Sequence, residues 1–200
     1  MARLEENELV LLNAIPALVE GSRFIVGVDG LSRSGKTTVV KKLSQLLQER
    51  NVHVCVFHMD DYIVSRNKRY NTGHEEWHEY YNLQWDVDWL SHHLFNKLRE
   101  FGSLNLPFYD PETDSHNMQN IVMPDTCVVI IEGVFLQRKE WRGFYDYVAY
   151  LDCPQNMRFA RESISARQNL EKFRNRYWKA EDYYVRTEAP AKQADAVLNN

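Results

Sequence analysis

Apolar positions follow two rhythms along the chain, and the rhythm changes at glycines. Leu4, Leu9, Leu11, Leu12, Ile15 and Leu18 recur at helix-like spacing, which predicts an amphipathic helix over residues 1–20, interrupted near Pro16. "RFIVGVD", Arg23 to Asp29, is instead a short continuous apolar run rich in β-branched residues, as in a strand buried on both faces. From Lys36 a helical stripe returns through Val39, Val40, Leu43, Leu46 and Leu47, fading at "QERN". "VHVCVFHM" (Val52 to Met59), "TCVVIIEG" (Thr126 to Gly133) and "YVAYLD" (Tyr147 to Asp152) read as further buried strands, with "ADAVLN" as a candidate last one.

Strand, glycine loop, helix and strand make a βαβ unit, whose strands run parallel with a right-handed crossover. The pattern predicts an α/β fold over one domain, 1–200, with a parallel sheet between helical layers. The stretch between the second and third strands is too long for a simple crossover, so residues 62–120 are expected to form an insertion that builds substrate specificity. Within it, Leu90, Leu94 and Leu98 predict one helix from Val87 onward, ended by Gly102. Residues 65–86 mix charge and aromatics without a period and read as irregular and partly exposed.

Composition narrows the function by exclusion. Lys and Arg number 24 against 28 Asp and Glu, a formal net charge of -4, so no broad electrostatic footprint for nucleic acid is expected and any anion site is local. The apolar runs are too short to span a bilayer, and the acidic N-terminus (Glu5, Glu6, Glu8) lacks the pattern of a secretory signal, which leads us to expect a cytoplasmic protein with no membrane partner. Cys55, Cys127 and Cys153 lie singly in apolar runs and read as buried thiols.

The most specific chemical signal is "GLSRSGKTT". Gly30, Gly35, Lys36 and Thr37 satisfy G-x-x-x-x-G-K-[ST], with the required strand before and helix after. Glycines let the loop turn its backbone N–H groups inward onto phosphate oxygens, next to the positive end of the following helix. Gly30, Ser32, Arg33, Ser34, Gly35, Lys36, Thr37 and Thr38 are therefore candidate nucleotide contacts. Lys36 would reach the β- and γ-phosphates and Thr37 would ligate Mg²⁺, while Arg33 points either at nucleotide or into water.

Such loops serve switches, motors and kinases alike. No guanine-reading N-K-x-D is present, since "NKRY" and "NKLR" both lack the final Asp. A kinase needs a carboxylate to take the proton of an attacking hydroxyl, and "HMDDYI" places Asp60 and Asp61 at a strand's carboxyl end, where open sheets bind ligands. Asp60 is the base candidate. Glu132, ending "VVIIEG", is a candidate Mg²⁺ ligand, and Asp60 also faces the metal in this reading.

With these residues in place, the chain resembles the uridine kinase, phosphoribulokinase and nicotinamide riboside kinase group. The resemblance runs from about Arg23 to Arg167 through "GLSRSGKTT", "MDDYI", "QWDVDWL", "LPFYDPETDSH", "VVIIEGVFL" and "LDCPQNMRFAR". It implies a P-loop NTPase fold, three-layer α/β/α, with a helical lid over about 155–185, and transfer of the γ-phosphate of ATP to a hydroxyl, often a ribose 5′-hydroxyl. It implies Asp60 as general base, Glu132 at Mg²⁺, Asp86 gripping ribose hydroxyls or capping the next helix, and Tyr109 packing on the base or into the core. It also implies Arg158, Arg161 and Arg167 as lid arginines closing on phosphates and substrate, with Lys36 and Arg161 joining Asp60 in catalysis. Arg174 and Arg176 match no motif.

One departure stands out: Asp114, Ser115 and His116 occupy the segment where uridine kinases carry an H-S-R-like order, which leaves the acceptor open. The expected cofactors are ATP and Mg²⁺, and the expected partner is a small hydroxyl compound. A riboside, pantothenate and a sugar phosphate all stay open as acceptors, as does self-association into a homo-oligomer. A nucleotide-binding regulator without small-molecule activity, or an NTP-driven switch, is the competing class.

Overall fold

In the computed structural model, which describes residues 6–100 and 102–200, the buried apolar runs become the strands of one sheet. They are β1 (Arg23–Asp29), β2 (Val54–His58), β5 (Cys127–Gly133), β6 (Tyr147–Asp152) and β7 (Ala196–Asn199), in the order β2-β5-β1-β6-β7. All pairings are parallel. Two further strands, β3 (Ser103–Asp110) and β4 (Ser115–Val122), pair antiparallel as a separate hairpin inside the long insertion.

Alternation along the strands sorts the core into two layers. Val26 and Val28 of β1 and Val128 and Ile130 of β5 face helices α1 (Glu6–Ala14) and α2 (Lys36–Glu49), meeting Leu11, Leu12, Val39, Val40, Leu43 and Leu47. Ile25, Val129 and Ile131 face the other way, onto aromatics that include Trp85, Phe95, Phe135, Trp141 and Tyr184. The three-layer α/β architecture is thus the one the sequence pattern predicts.

Four expectations change. The N-terminal helix stops at Ala14, and Leu4 lies outside the described residues. The helix from Val87 breaks at Leu94, continuing as a 3₁₀ turn over Phe95–Lys97. Leu90, Leu94 and Leu98 are all buried nonetheless, because the break keeps the three leucines on the core. Gly102 terminates no helix; its carbonyl accepts from the Met123 amide beside the hairpin. Residues 65–86 are not irregular. They hold helices over Arg66–Arg69 and Glu76–Asn82 and bury Arg69, Glu79, Tyr80, Tyr81, Gln84 and Trp85.

Among the cysteines, Cys127 and Cys153 are buried and Cys55 is half-buried, all as free thiols. No helix among the described residues is long and apolar enough to cross a membrane.

Candidate active site

β1 lies between β5 and β6, the position where chain connections leave in opposite directions and a crevice opens beyond the strand ends. Three chemical groups arrive there from separate strands: the loop after β1, Asp60 in the 3₁₀ turn after β2, and Glu132 near the end of β5. A cleft of about 880 Å³ opens over them, within the usual size of a small-molecule site. Its lining includes Ser32, Arg33, Gly35, Lys36, Thr37, Thr38, Asp60, Glu132, Arg158 and Arg161.

Backbone geometry makes the floor. Gly35 has φ +102°, a left-handed value that a β-carbon would strain, and it ends the loop where α2 begins. A β-carbon on Gly30 would stand 2.7 Å from the Leu151 carbonyl and 2.8 Å from the Ser34 hydroxyl, so only glycine allows that approach. Gly30 and Ser34 sit under the cleft rather than in its lining, with Ser34 fully buried. Arg33 lines the cleft and does not float free: its guanidinium pairs with Glu162 at 3.1 Å. Arg161 donates to the carbonyls of Arg33 (3.0 Å) and Ser34 (3.2 Å), and Asn200 also donates to Ser34.

Lys36 is buried and points along the loop, donating to the Leu31 carbonyl at 3.0 Å. Burial lowers its pKa, against the pull of Glu132, Asp29 and Asp60, which favour the charged ammonium. Thr37 donates its hydroxyl to Glu132 Oε1 at 2.8 Å, and His58 Nδ1 meets the same oxygen at 2.6 Å. Although Asp60 opens onto the cleft, crowding by protein atoms raises its pKa; Lys36 opposes that rise and Glu132 adds to it. Desolvation pushes Glu132 upward too, yet the hydrogen bonds from His58 and Thr37 and the charge of Lys36 outweigh it and hold the pKa low. The pKa values of two neighbouring carboxylates are thereby shifted in opposite directions.

The hydroxyl of Thr37 and the carboxylates of Glu132 and Asp60 form an all-oxygen, anionic set facing one cleft, which suits Mg²⁺. No group of three or more His, Cys, Asp or Glu side chains among the described residues is arranged to hold a metal ion by itself.

Other expected contacts are redirected. Arg158 reaches the cleft wall but is buried, donating to the carbonyls of Cys153 and Ser32 (both 3.0 Å) and to Glu181 Oε1 (2.9 Å); it braces the loop instead of capping it from solvent. Arg167 is exposed and outside the lining. Asp86 caps the helix beginning at Val87 by accepting from the Trp89 amide at 3.0 Å, and it too lies outside the lining. Tyr109 is buried near the turn of the hairpin: its hydroxyl donates to Asp114 at 2.8 Å and accepts from Arg69 at 3.1 Å. Asp114 is the left-handed turn residue of the hairpin, φ +54°, and also accepts from the Arg66 amide; an aspartate tolerates that conformation and closes the turn.

Three functional residues escaped the sequence reading. His58 lies opposite Glu132 in the β2–β5 register, which no local pattern reveals. Asp29, fully buried, accepts from Tyr184 (2.6 Å), Gln137 (2.9 Å) and the Leu136 amide (3.2 Å), fixing the segment after β5 against the phosphate loop. Glu181 receives the Ser32 amide at 3.0 Å; its signal was a carboxylate on the same helix face as the buried Ala180 and Tyr184.

Known proteins resemble this chain along most of its length. A uridine kinase from Borrelia duttonii is 29% identical over 143 residues, 68% of this chain and 64% of that protein, so the match spans less than two thirds of that relative. A uridine kinase from Borrelia garinii is 27% identical over 186 residues, covering 87% of this chain and 85% of its own. Among solved structures, one described as a possible uridine kinase from Bacillus stearothermophilus is 54% identical, with a TM-score of 0.85 over 96% of this chain and 97% of its own. A D-glycerate 3-kinase from Cryptococcus neoformans shares the fold at 11% identity and a TM-score of 0.54, covering 96% of this chain and 93% of that one. The phosphoribulokinase / uridine kinase family model matches residues 25–168, which takes in the loop, Asp60, Glu132 and Arg158. The chain therefore belongs to the phosphoribulokinase / uridine kinase family.

Proposed function

We propose that the protein is an ATP- and Mg²⁺-dependent kinase that transfers the γ-phosphate to a hydroxyl of a small molecule, with a nucleoside or riboside 5′-hydroxyl as the acceptor. The observation that carries this reading is Asp60: a carboxylate in the turn after β2 that faces the same cleft as Lys36, Thr37 and Glu132. In the reaction, the acceptor oxygen bonds to the γ-phosphorus, the bond to the β-phosphate oxygen breaks, and ADP leaves. The acceptor proton passes to Asp60 Oδ.

Lys36 and the loop amides bind the phosphates, and Arg161 supports the loop through its carbonyls at the mouth of the cleft. Thr37, Glu132 and Asp60 would hold Mg²⁺, which supplies charge neutralisation to the phosphates when bound. His58 orients Glu132 by hydrogen bonding. Asp60 opens onto the cleft, which supports reading it as the proton acceptor when the hydroxyl attacks.

The test is Asp60→Asn, assayed for ATP binding by calorimetry and for ADP release with ATP, Mg²⁺ and a panel of nucleosides and ribosides. Binding is expected to persist within about twofold while turnover falls by roughly 10²–10⁴. Full turnover in the variant removes Asp60 from the base role. ATP binding by the wild type with no transfer across the panel favours the regulator class instead.

A further inference from the structure

The far wall of the cleft includes Tyr80, Phe173, Tyr177 and Glu181. Tyr80 lies on the helix over Glu76–Asn82, which turns Glu79, Tyr80 and Tyr81 inward. The three side chains take different tasks. Glu79 receives Arg176 at 3.0 Å, and Tyr81 packs edge-on to Phe135 with its hydroxyl donating to Glu188 at 3.4 Å. Tyr80 is only 8% exposed, and its ring makes edge-to-face contacts with Phe135 (5.3 Å between centroids) and Tyr177 (5.0 Å). Two such contacts from different sides fix the plane of the ring.

Its hydroxyl is what sets Tyr80 apart. A buried phenol ordinarily gives its O–H to the protein, as Tyr184 does to Asp29 (2.6 Å) and Tyr109 to Asp114 (2.8 Å). Among the described residues, none takes a hydrogen bond from Tyr80, and its oxygen is not sealed in the core as the unpartnered Tyr145 hydroxyl is. The part of Tyr80 that stays open faces the cleft it lines. Asp60 does not engage it either: the charges acting on that carboxylate come from Lys36, Glu132, His58 and Arg33. Glu181, the other polar group of the wall, already accepts from Arg158 and the Ser32 amide. Burial, with the charges of Glu181 and Asp60, holds the phenol well above its ordinary pKa, so the O–H stays protonated and is able both to donate and to accept.

We infer that Tyr80 is an acceptor-contact residue, whose hydroxyl hydrogen-bonds the compound lying against Asp60 and fixes the orientation in which the attacking oxygen meets the γ-phosphate. The inference rests on the kinase reading above for where the acceptor lies. It supplies a polar contact of the kind the sequence assigned to Asp86, which the fold uses as a helix cap, and it places that contact on a ring that neighbouring aromatics already hold still. A donor on a fixed ring loses little freedom when it binds, and orientation of the reacting oxygen is what such a contact contributes to rate.

The test compares wild type, Tyr80→Phe and Tyr109→Phe on a panel of uridine, cytidine, nicotinamide riboside and pantothenol. Each compound is titrated calorimetrically into the protein with a non-hydrolysable ATP analogue and Mg²⁺, and assayed for ADP release with ATP. For the compound that the wild type binds best, Tyr80→Phe is expected to raise the acceptor Kd and KM by about three- to tenfold, the loss of one hydrogen bond. ATP affinity is expected to stay within about twofold and the urea midpoint to stay in place, because the hydroxyl carries no bond within the protein. Tyr109→Phe, whose hydroxyl does carry such bonds, is expected to show the reverse: a lowered urea midpoint and an unchanged acceptor KM.

An acceptor Kd and KM that Tyr80→Phe leaves within twofold overturn the inference. So does a rise in KM accompanied by equal loss of ATP affinity or a lowered urea midpoint, since the residue then acts through the fold. The two readings fail separately. A panel compound that binds without ADP release, and binds more weakly to Tyr80→Phe, sinks the kinase reading and keeps this one. ADP release with an acceptor KM that the variant does not move does the opposite, and a wild type that binds no member of the panel at millimolar concentration overturns the contact.

Discussion

The phosphate-facing floor of the cleft and its far wall use arginine in opposite ways. On the floor side, Arg33 and Arg161 are exposed: Arg33, part of the loop itself, pairs with Glu162, and Arg161 reaches in to donate to loop carbonyls. In the wall, Arg158 and Arg176 are buried and close ion pairs at 2.9 and 3.0 Å with Glu181 and Glu79. The floor is built from backbone held by short-range geometry, with Lys36 and Thr37 bonded to the Leu31 carbonyl and to Glu132. The wall is built from side chains that meet across the fold, so its charges hold structure together.

The sharpest way to break that contrast is to remove one arginine from each side. Arg176→Met leaves Glu79 buried without its cation, and unfolding in urea is expected to show a loss of about 3–5 kcal/mol. Arg161→Met is expected to change stability by less than about 0.5 kcal/mol while weakening ATP binding, measured by calorimetry on the same preparations. Equal stability losses in the two variants would erase the distinction between floor and wall.

A smaller effect separates hairpin architecture from substrate contact. Tyr109→Phe removes the hydroxyl shared by Asp114 and Arg69, and a stability loss of about 0.5–1.5 kcal/mol is expected, with the acceptor KM unchanged. A KM that rises severalfold at constant stability would return Tyr109 to the acceptor site.

The smallest effect is set by pH at the floor. Hydrogen bonding to Glu132 raises the His58 pKa, so the stability it contributes is full below the ordinary imidazole range near about 6.5 and is lost as pH climbs through the raised folded value. Glu132 is held low, so its share is present above the ordinary carboxyl range and is lost as pH falls through its lowered value. Metal-free His58→Ala is therefore expected to be less stable than the wild type by about 0.2–1 kcal/mol near pH 5–6, the imidazole being 40% exposed, and the gap should close at alkaline pH. A gap that widens with pH would show that the neutral imidazole carries the contact.

Legibility of the fold tracked how local its causes are. β1 and β6 have the limits their apolar runs predict, since a strand buried on both faces needs contiguous apolar residues and shows them directly. The hairpin left no such trace. Nearly every residue of β4 is exposed, so "SHNMQNIV" carries no alternation, and its pairing to β3 decides its shape. The helices over 66–69 and 76–82 were hidden because Arg69 and Glu79, polar in any sequence reading, are core residues once Arg176 and Tyr109 reach them.

By itself the sequence determined the phosphate loop, its flanking strand and helix, and the carboxylates at the strand ends. Each depends on residues within a few positions of one another and on backbone rules that hold in any fold. Only the tertiary structure decided which arginines face the cleft, which partner Tyr109 takes, and that His58 meets Glu132. Those outcomes join residues as far apart as Arg33 and Arg161, 128 positions along the chain, and a side chain's role there follows from the charge and burial of what the fold sets against it.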